Sequence, residues 1–165
     1  MCVCASLPRL AIPERILIVQ HAREACKTTN TGRLVHRLLE NSLLTRYGGR
    51  GEPFDPAPFQ HAEADYAMLY PRDGAPLLTP DPCRSRTGRL RAFILLDGTW
   101  SQAAKMSRRV PGVKDIPCYV LPPGEPGRWA VRHSDDPCRL ATIEACARLL
   151  VLLGHAREAQ IMDQA

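Results

Sequence analysis

Residues 91–106 read RAFILLDGTWSQAAKM, and this stretch decides the fold. The run 91–96 is the clearest central strand in the chain. It passes through Asp97-Gly98-Thr99-Trp100 into a helical pattern that continues through Met106. Working outward, residues 15–20, RILIVQ, are a short apolar and β-branched run suited to a strand buried on both faces. Several possible N-caps, Thr28 to Thr31, follow it. Leu34, Val35, Leu38, Leu39 and Leu43 then recur at helical spacing. Residues 48–59 are dense in Gly and Pro and read as loop, 67–70 as a short strand, and 71–87 as a Pro-rich connection. Residues 116–121 form a further strand, stopped by Pro122-Pro123. A long loop leads to a last helix over 141–153 that is apolar nearly all round, so it should be buried, with Gly154 as its stop. Strands alternating with helices predict an α/β domain with a largely parallel sheet, whose ligands collect at the carboxyl ends of the strands.

Composition narrows the class. With 165 residues, the chain can hide roughly 70% of its extended surface and needs no metal or disulfide framework to fold. Hydrophobic residues at 45% and charged residues at 24% exclude wholesale disorder, and no apolar run approaches membrane-spanning length. The net charge is +5, and Lys27, Lys105 and Lys114 are the only lysines among 22 cationic residues. An arginine-dominated surface suits phosphate and stacked bases, and a compositional bias toward Arg accounts for it equally well. Seven scattered cysteines with no apolar leader predict reduced thiols in a soluble cytoplasmic protein. Cys146, inside the last helix, reads as a small core residue. Cys2 and Cys4 form a C-x-C pair, and two thiolates alone cannot close a tetrahedral zinc site.

Three constellations carry chemistry. Asp97, ending the best strand beside a glycine that admits a ligand to the backbone, suits a general base or a ligand anchor; an aspartate that only caps the helix, with Trp100 beneath it, is the competing reading. Glu24, Lys27, Asn30, Thr31, Gly32 and Arg33 surround a loop and helix start, where backbone N–H groups, the helix dipole and a guanidinium can hold a carboxylate or phosphate. The spacing is not that of a Walker motif, and an ordinary N-cap explains it as well. Thr142 and Glu144 open the last helix, where a Glu is favoured by the dipole without any further role. No G-x-S-x-G elbow exists, and the five histidines make no metal-ligand spacing, so hydrolase readings are weak.

Taken in order, the C-x-C pair, HAREACKTTNTGRL (residues 21–34), FILLDGTWSQAAKM (93–106) and RLATIEA (139–145) resemble the DTW-domain family over roughly residues 2–154. The resemblance implies a single domain over 1–165, with 1–12 the remnant of a Cys-rich segment and 155–165 a short tail. It also implies a SPOUT-like α/β fold, a mostly parallel sheet with helices on both faces, and a C-terminal trefoil knot. The implied activity transfers the aminocarboxypropyl group of S-adenosylmethionine to N3 of a tRNA uridine, with Asp97 as base or anchor. The implied adenosine pocket is lined by Leu96, Gly98, Thr99, Trp100, Leu121, Pro122, Leu140, Ala141, Thr142 and Glu144, with Asn30, Thr31 and Arg33 at the methionine carboxylate. Lys27, Lys105, Arg108, Arg109 and Arg132 would meet tRNA phosphates, with neither a membrane nor an obligate protein partner. Family members usually carry a further C-x-x-C pair ahead of the C-x-C, together resembling a zinc site, so a zinc held by Cys2 and Cys4 would be incomplete here. Two other classes fit the same residues: an S-adenosylmethionine-dependent RNA methyltransferase, and a non-catalytic RNA-binding module.

Overall fold

A computed structural model describes residues 7–80, 89–124 and 140–165. Five strands form one sheet: β1 (Arg15–His21), β2 (Ser42–Tyr47), β3 (Ala64–Leu69), β4 (Leu90–Asp97) and β5 (Cys118–Tyr119). Their order is β2-β1-β4-β3-β5, and every pairing is parallel. The two continuous apolar runs of the sequence become neighbours near the middle of the sheet. There Ile16 to Gln20 are buried without interruption, and the register sets Gln20 opposite Asp97.

Alternation along the strands sorts side chains into two cores. Ile16, Ile18, Phe93 and Leu95 face α1 (Thr31–Leu38), α3 (Thr142–Leu153) and α4 (Ala156–Asp163). Leu17, Val19, Ala92 and Ile94 face the opposite side, where they meet Met106 of α2 (Trp100–Arg109) together with Val110 and Val113. Helices therefore cover both faces, as the sequence predicts for a sheet whose central strands are apolar throughout.

The structure differs from the periodic reading at several places. Leu43, placed on the helix by its spacing, lies in β2; the helix ends at Leu38 because Leu39 is extended (φ −96°, ψ 125°). The Asn41 side chain pins the intervening turn by donating to the carbonyls of Pro13 and Glu14 at 3.2 and 3.0 Å. The strand expected over 116–121 is reduced to Cys118–Tyr119, extended only by a bridge between Leu77 and Val120. The last helix is buried on one side only: Ile143, Cys146, Leu149 and Leu150 are inside, while Val151 is 58% exposed. Gly154 stops it at φ +91°, a left-handed conformation that L side chains rarely adopt. Beyond it the chain folds back as α4, which buries Ala159 and Met162 and ties His155 Nε2 to Glu14 Oε2 at 2.8 Å. Among the described residues no helix is long and apolar enough to cross a membrane.

Candidate active site at the carboxyl ends of the strands

Because β1 and β4 are parallel and in register, their ends deliver Gln20 and Asp97 side by side. Asp97 is only 1% exposed, and its carboxylate accepts three hydrogen bonds. Oδ1 takes the Thr142 hydroxyl at 2.7 Å; Oδ2 takes Gln20 Nε2 at 3.0 Å and Asn30 Nδ2 at 2.5 Å. Gln20 Nε2 also donates to Asn30 Oδ1 at 2.8 Å, and the same oxygen caps α1 by accepting from Arg33 N at 3.1 Å. A buried carboxylate surrounded by donors is well satisfied, since each bond to a charged group contributes about 1.5–3 kcal/mol. Gly32 makes the approach possible, because a Cβ there would lie 2.7 Å from Asp97 Cγ and Oδ2.

Asp97 does not cap the helix that follows it. Thr99 does, accepting from Gln102 N at 3.3 Å, while the Gln102 side chain accepts from Thr99 N at 2.7 Å in a reciprocal capping box.

Beside this network a cleft of about 390 Å³ opens over the ends of β3, β4 and β5, within the usual range for small-molecule sites. The structure brings nine positions singled out in the sequence into its wall. Leu96, Gly98, Thr99 and Trp100 come from the β4–α2 turn, Leu121 and Pro122 from the chain after β5, and Leu140, Ala141 and Thr142 from the entry to α3. Lys27 also lines the cleft, its Nζ 2.6 Å from Oε1 of the fully buried Glu24. Apolar walls with a few polar groups and a cation at one side suit a ligand that has an aromatic ring at one end and charge at the other.

Other sequence candidates stand apart from the wall. Asn30 and Thr31 lie behind it, buried at the start of α1, and the Arg33 guanidinium is bonded to the Ala25 carbonyl. Glu144 reaches back to accept from Ala141 N at 2.8 Å. Lys105, Arg108 and Arg109 are exposed on α2. Arg132, Cys2 and Cys4 lie outside the described residues. Among those that are described, no group of three His, Cys, Asp or Glu side chains is arranged to hold a metal.

Several contributors escaped the sequence reading. Tyr70 and Arg148 line the cleft, and the Tyr70 ring packs 6.1 Å from that of Trp100 at 35°. Burial pushes the Tyr70 hydroxyl above its usual value, and the nearby Arg108 only partly opposes this, so it stays protonated at neutral pH. Gln20 had one visible signal, being a polar residue that closes an otherwise apolar strand. Gly32 stood within the run from Glu24 to Arg33, but nothing along the chain pointed to its contact with Asp97.

These features define an α/β protein with a cleft of small-molecule size at the carboxyl edge of a parallel sheet. The DTW domain profile matches residues 1–165, and the chain belongs to the DTW-domain family. It is similar to tRNA-uridine aminocarboxypropyltransferase 2 of Drosophila melanogaster, with 26% identity over 163 aligned positions covering 93% of this chain. The chain spans 62% of that relative's length. No solved structure gives a significant match.

Proposed function

We propose that this protein transfers the 3-amino-3-carboxypropyl group of S-adenosylmethionine to N3 of a tRNA uridine, releasing methylthioadenosine, on a SPOUT-like fold with a C-terminal trefoil knot. The observation that carries the reading is the convergence of the DGTW turn and the Leu140-Ala141-Thr142 segment, 40 or more residues apart in sequence, on one apolar cleft. Family membership and the name of the similar Drosophila protein supply the reaction class.

S-adenosylmethionine would supply an electrophilic γ-carbon on its sulfonium: the N3–Cγ bond would form as the Cγ–S bond breaks with its electron pair passing to sulfur, and the N3 proton would pass to water. The chain's part is to bind and orient. Leu96, Leu121 and Ala141 offer apolar surface to the adenosine, and Trp100 with Tyr70 offers ring faces. Lys27, held by buried Glu24, meets the methionine carboxylate, the part first given to Arg33. Lys105, Arg108 and Arg109 on α2, joined by exposed Arg23, meet tRNA phosphates, where arginines can pair bidentately. The reading assigns the protein to the cytoplasm, where its thiols stay reduced.

The test is incubation of the protein with S-adenosylmethionine and unmodified tRNA, followed by mass spectrometry of nucleosides and cofactor products. Aminocarboxypropyl-uridine with methylthioadenosine is expected. Methylated nucleoside with S-adenosylhomocysteine would replace this reading by a methyltransferase. No product, with no rise in Tm at saturating S-adenosylmethionine, would count against both enzymes, since a ligand that binds only the native state must stabilise it.

A further inference from the structure

We infer that Asp97 is a positioning residue rather than the group that takes the proton: its carboxylate latches the start of α3, through Thr142, to the start of α1, through Asn30, and so sets the polar wall of the cleft. The kinetic part of this inference rests on the proposed transferase reading; the structural part does not.

A general base must come within hydrogen-bond reach of the proton it removes, directly or through one water. Asp97 is 1% exposed and is absent from the cleft lining, whereas Thr142, which covers its Oδ1, is part of that lining. On the Oδ2 side two amide donors and the backbone of Gly32 occupy the approach, with so little space that even a methyl group on Gly32 would lie 2.7 Å from the carboxyl. Three of the roughly four lone-pair directions of the carboxylate are therefore in use.

The donors are themselves fixed. Asn30 cannot turn its oxygen toward Asp97, because that oxygen already accepts from Arg33 N and Gln20 Nε2. Gln20 is 0% exposed and aims the same nitrogen at both Asn30 and Asp97. Only Thr142 has freedom, since a hydroxyl both donates and accepts. The network thus joins segments far apart in the chain, with 67 residues separating Asn30 from Asp97 and 45 separating Asp97 from Thr142.

That asymmetry gives a discriminating variant. In Asp97→Asn the new amide oxygen can still accept from Gln20 and Asn30, and the new NH2 can donate to the Thr142 hydroxyl, so the latch survives while a base would be lost. The experiment measures S-adenosylmethionine affinity by calorimetry, kcat and KM on tRNA, and the ligand-free Tm for Asp97→Asn, Asp97→Ala, Thr142→Val and Thr142→Ser. For a latch, Asp97→Asn keeps kcat within about tenfold, against the ~10²–10⁴ loss that removal of a general base brings. Asp97→Ala and Thr142→Val lower affinity and Tm, and the double variant loses less than the sum of the two, as contacting residues do. Thr142→Ser restores both.

A kcat lowered by about 10² or more in Asp97→Asn, with affinity and Tm unchanged, would overturn the inference and make Asp97 the base. Additive effects of Asp97→Ala and Thr142→Val on Tm would overturn it as well. If Asp97→Ala does not fold, the kcat of Asp97→Asn and the affinity of Thr142→Val set against Thr142→Ser still decide the latch. If the wild-type protein neither binds S-adenosylmethionine nor modifies tRNA, the transferase reading fails, and the Tm cycle still decides the latch.

Discussion

Replacing Gly32 by alanine sets two physical effects against each other. Gly32 is in the first turn of α1, and in a helix alanine is favoured over glycine by about 1 kcal/mol, so helix propensity alone predicts a stabler protein. The added Cβ, however, would lie 2.7 Å from Asp97 Cγ and Oδ2 and 3.1 Å from Oδ1, where ordinary contact begins at 3.4 Å. One side must yield by 3.4 − 2.7 = 0.7 Å. Asp97 cannot retreat without disturbing its bonds to Gln20, Asn30 or Thr142, and α1 cannot retreat without moving its Asn30 cap. Overpacking of this kind costs about 1–3 kcal/mol, and weakening one bond to the carboxylate about 1.5–3 more. Taking about 2 for each and subtracting the propensity gain leaves a loss of about 3 kcal/mol. At ~2–4 °C per kcal/mol for a chain of this size, Tm falls by about 6–12 °C. Thermal unfolding followed by circular dichroism without ligand measures it. A Tm unchanged, or raised by the ~2–4 °C that propensity alone predicts, would refute the close approach of Asp97 to α1.

Three other outcomes are expected. Gln20→Glu sets a second carboxyl group beside Asp97 at a spacing now near 3.0 Å, with no exposure, and two buried like charges cannot both persist; the variant should melt lower than wild type, and by more at neutral than at acid pH. His21 and His36 both lie below their ordinary value of 6.5, first because burial disfavours the charged ring and then because of Arg23 at His21 and of Arg9 and Arg37 at His36. The unfolded chain therefore takes these protons first, so their contribution to stability is full above 6.5 and is withdrawn as pH falls toward the lower folded-state values; NMR titration of the ring protons should give midpoints below 6.5. Burial pushes the Cys146 thiol up to about 12, whereas Cys26 is exposed, so iodoacetamide should alkylate Cys26 in the folded protein and reach Cys146 only after unfolding, read by peptide mass spectrometry.

Much of the fold was legible in the sequence, for a local reason. Residues 15–20 and 91–96 are continuous apolar runs, and such runs are buried as strands whichever neighbours they acquire, which gave β1 and β4 nearly to the residue. Capping is local too, and it placed the starts of α1 and α2 once Asn30 and Thr99 are recognised as the caps. The failures were local patterns with two solutions. Leu43 continued a helical spacing that a single turn at Asn41 converts into a strand, and the residues after Gly154 carried too little apolar periodicity to announce α4.

The site divides in the same way. By itself the sequence determined that this is an α/β domain of the DTW family, because strand and helix patterns and the family's motifs are readable along the chain, and the resemblance singled out the DGTW turn and the Leu140-Ala141-Thr142 segment that the structure brings to one cleft. Only the tertiary structure decided that Lys27 rather than Arg33 reaches the cleft, that Gln20 and Gly32 frame Asp97, and that Thr142 stands between Asp97 and the cleft. Those facts depend on parallel register and on the docking of α1 and α3 against one strand end. Hydrogen bonds spanning up to 77 residues leave no periodic trace in the sequence, because the donor and the acceptor meet only after the sheet has closed between them.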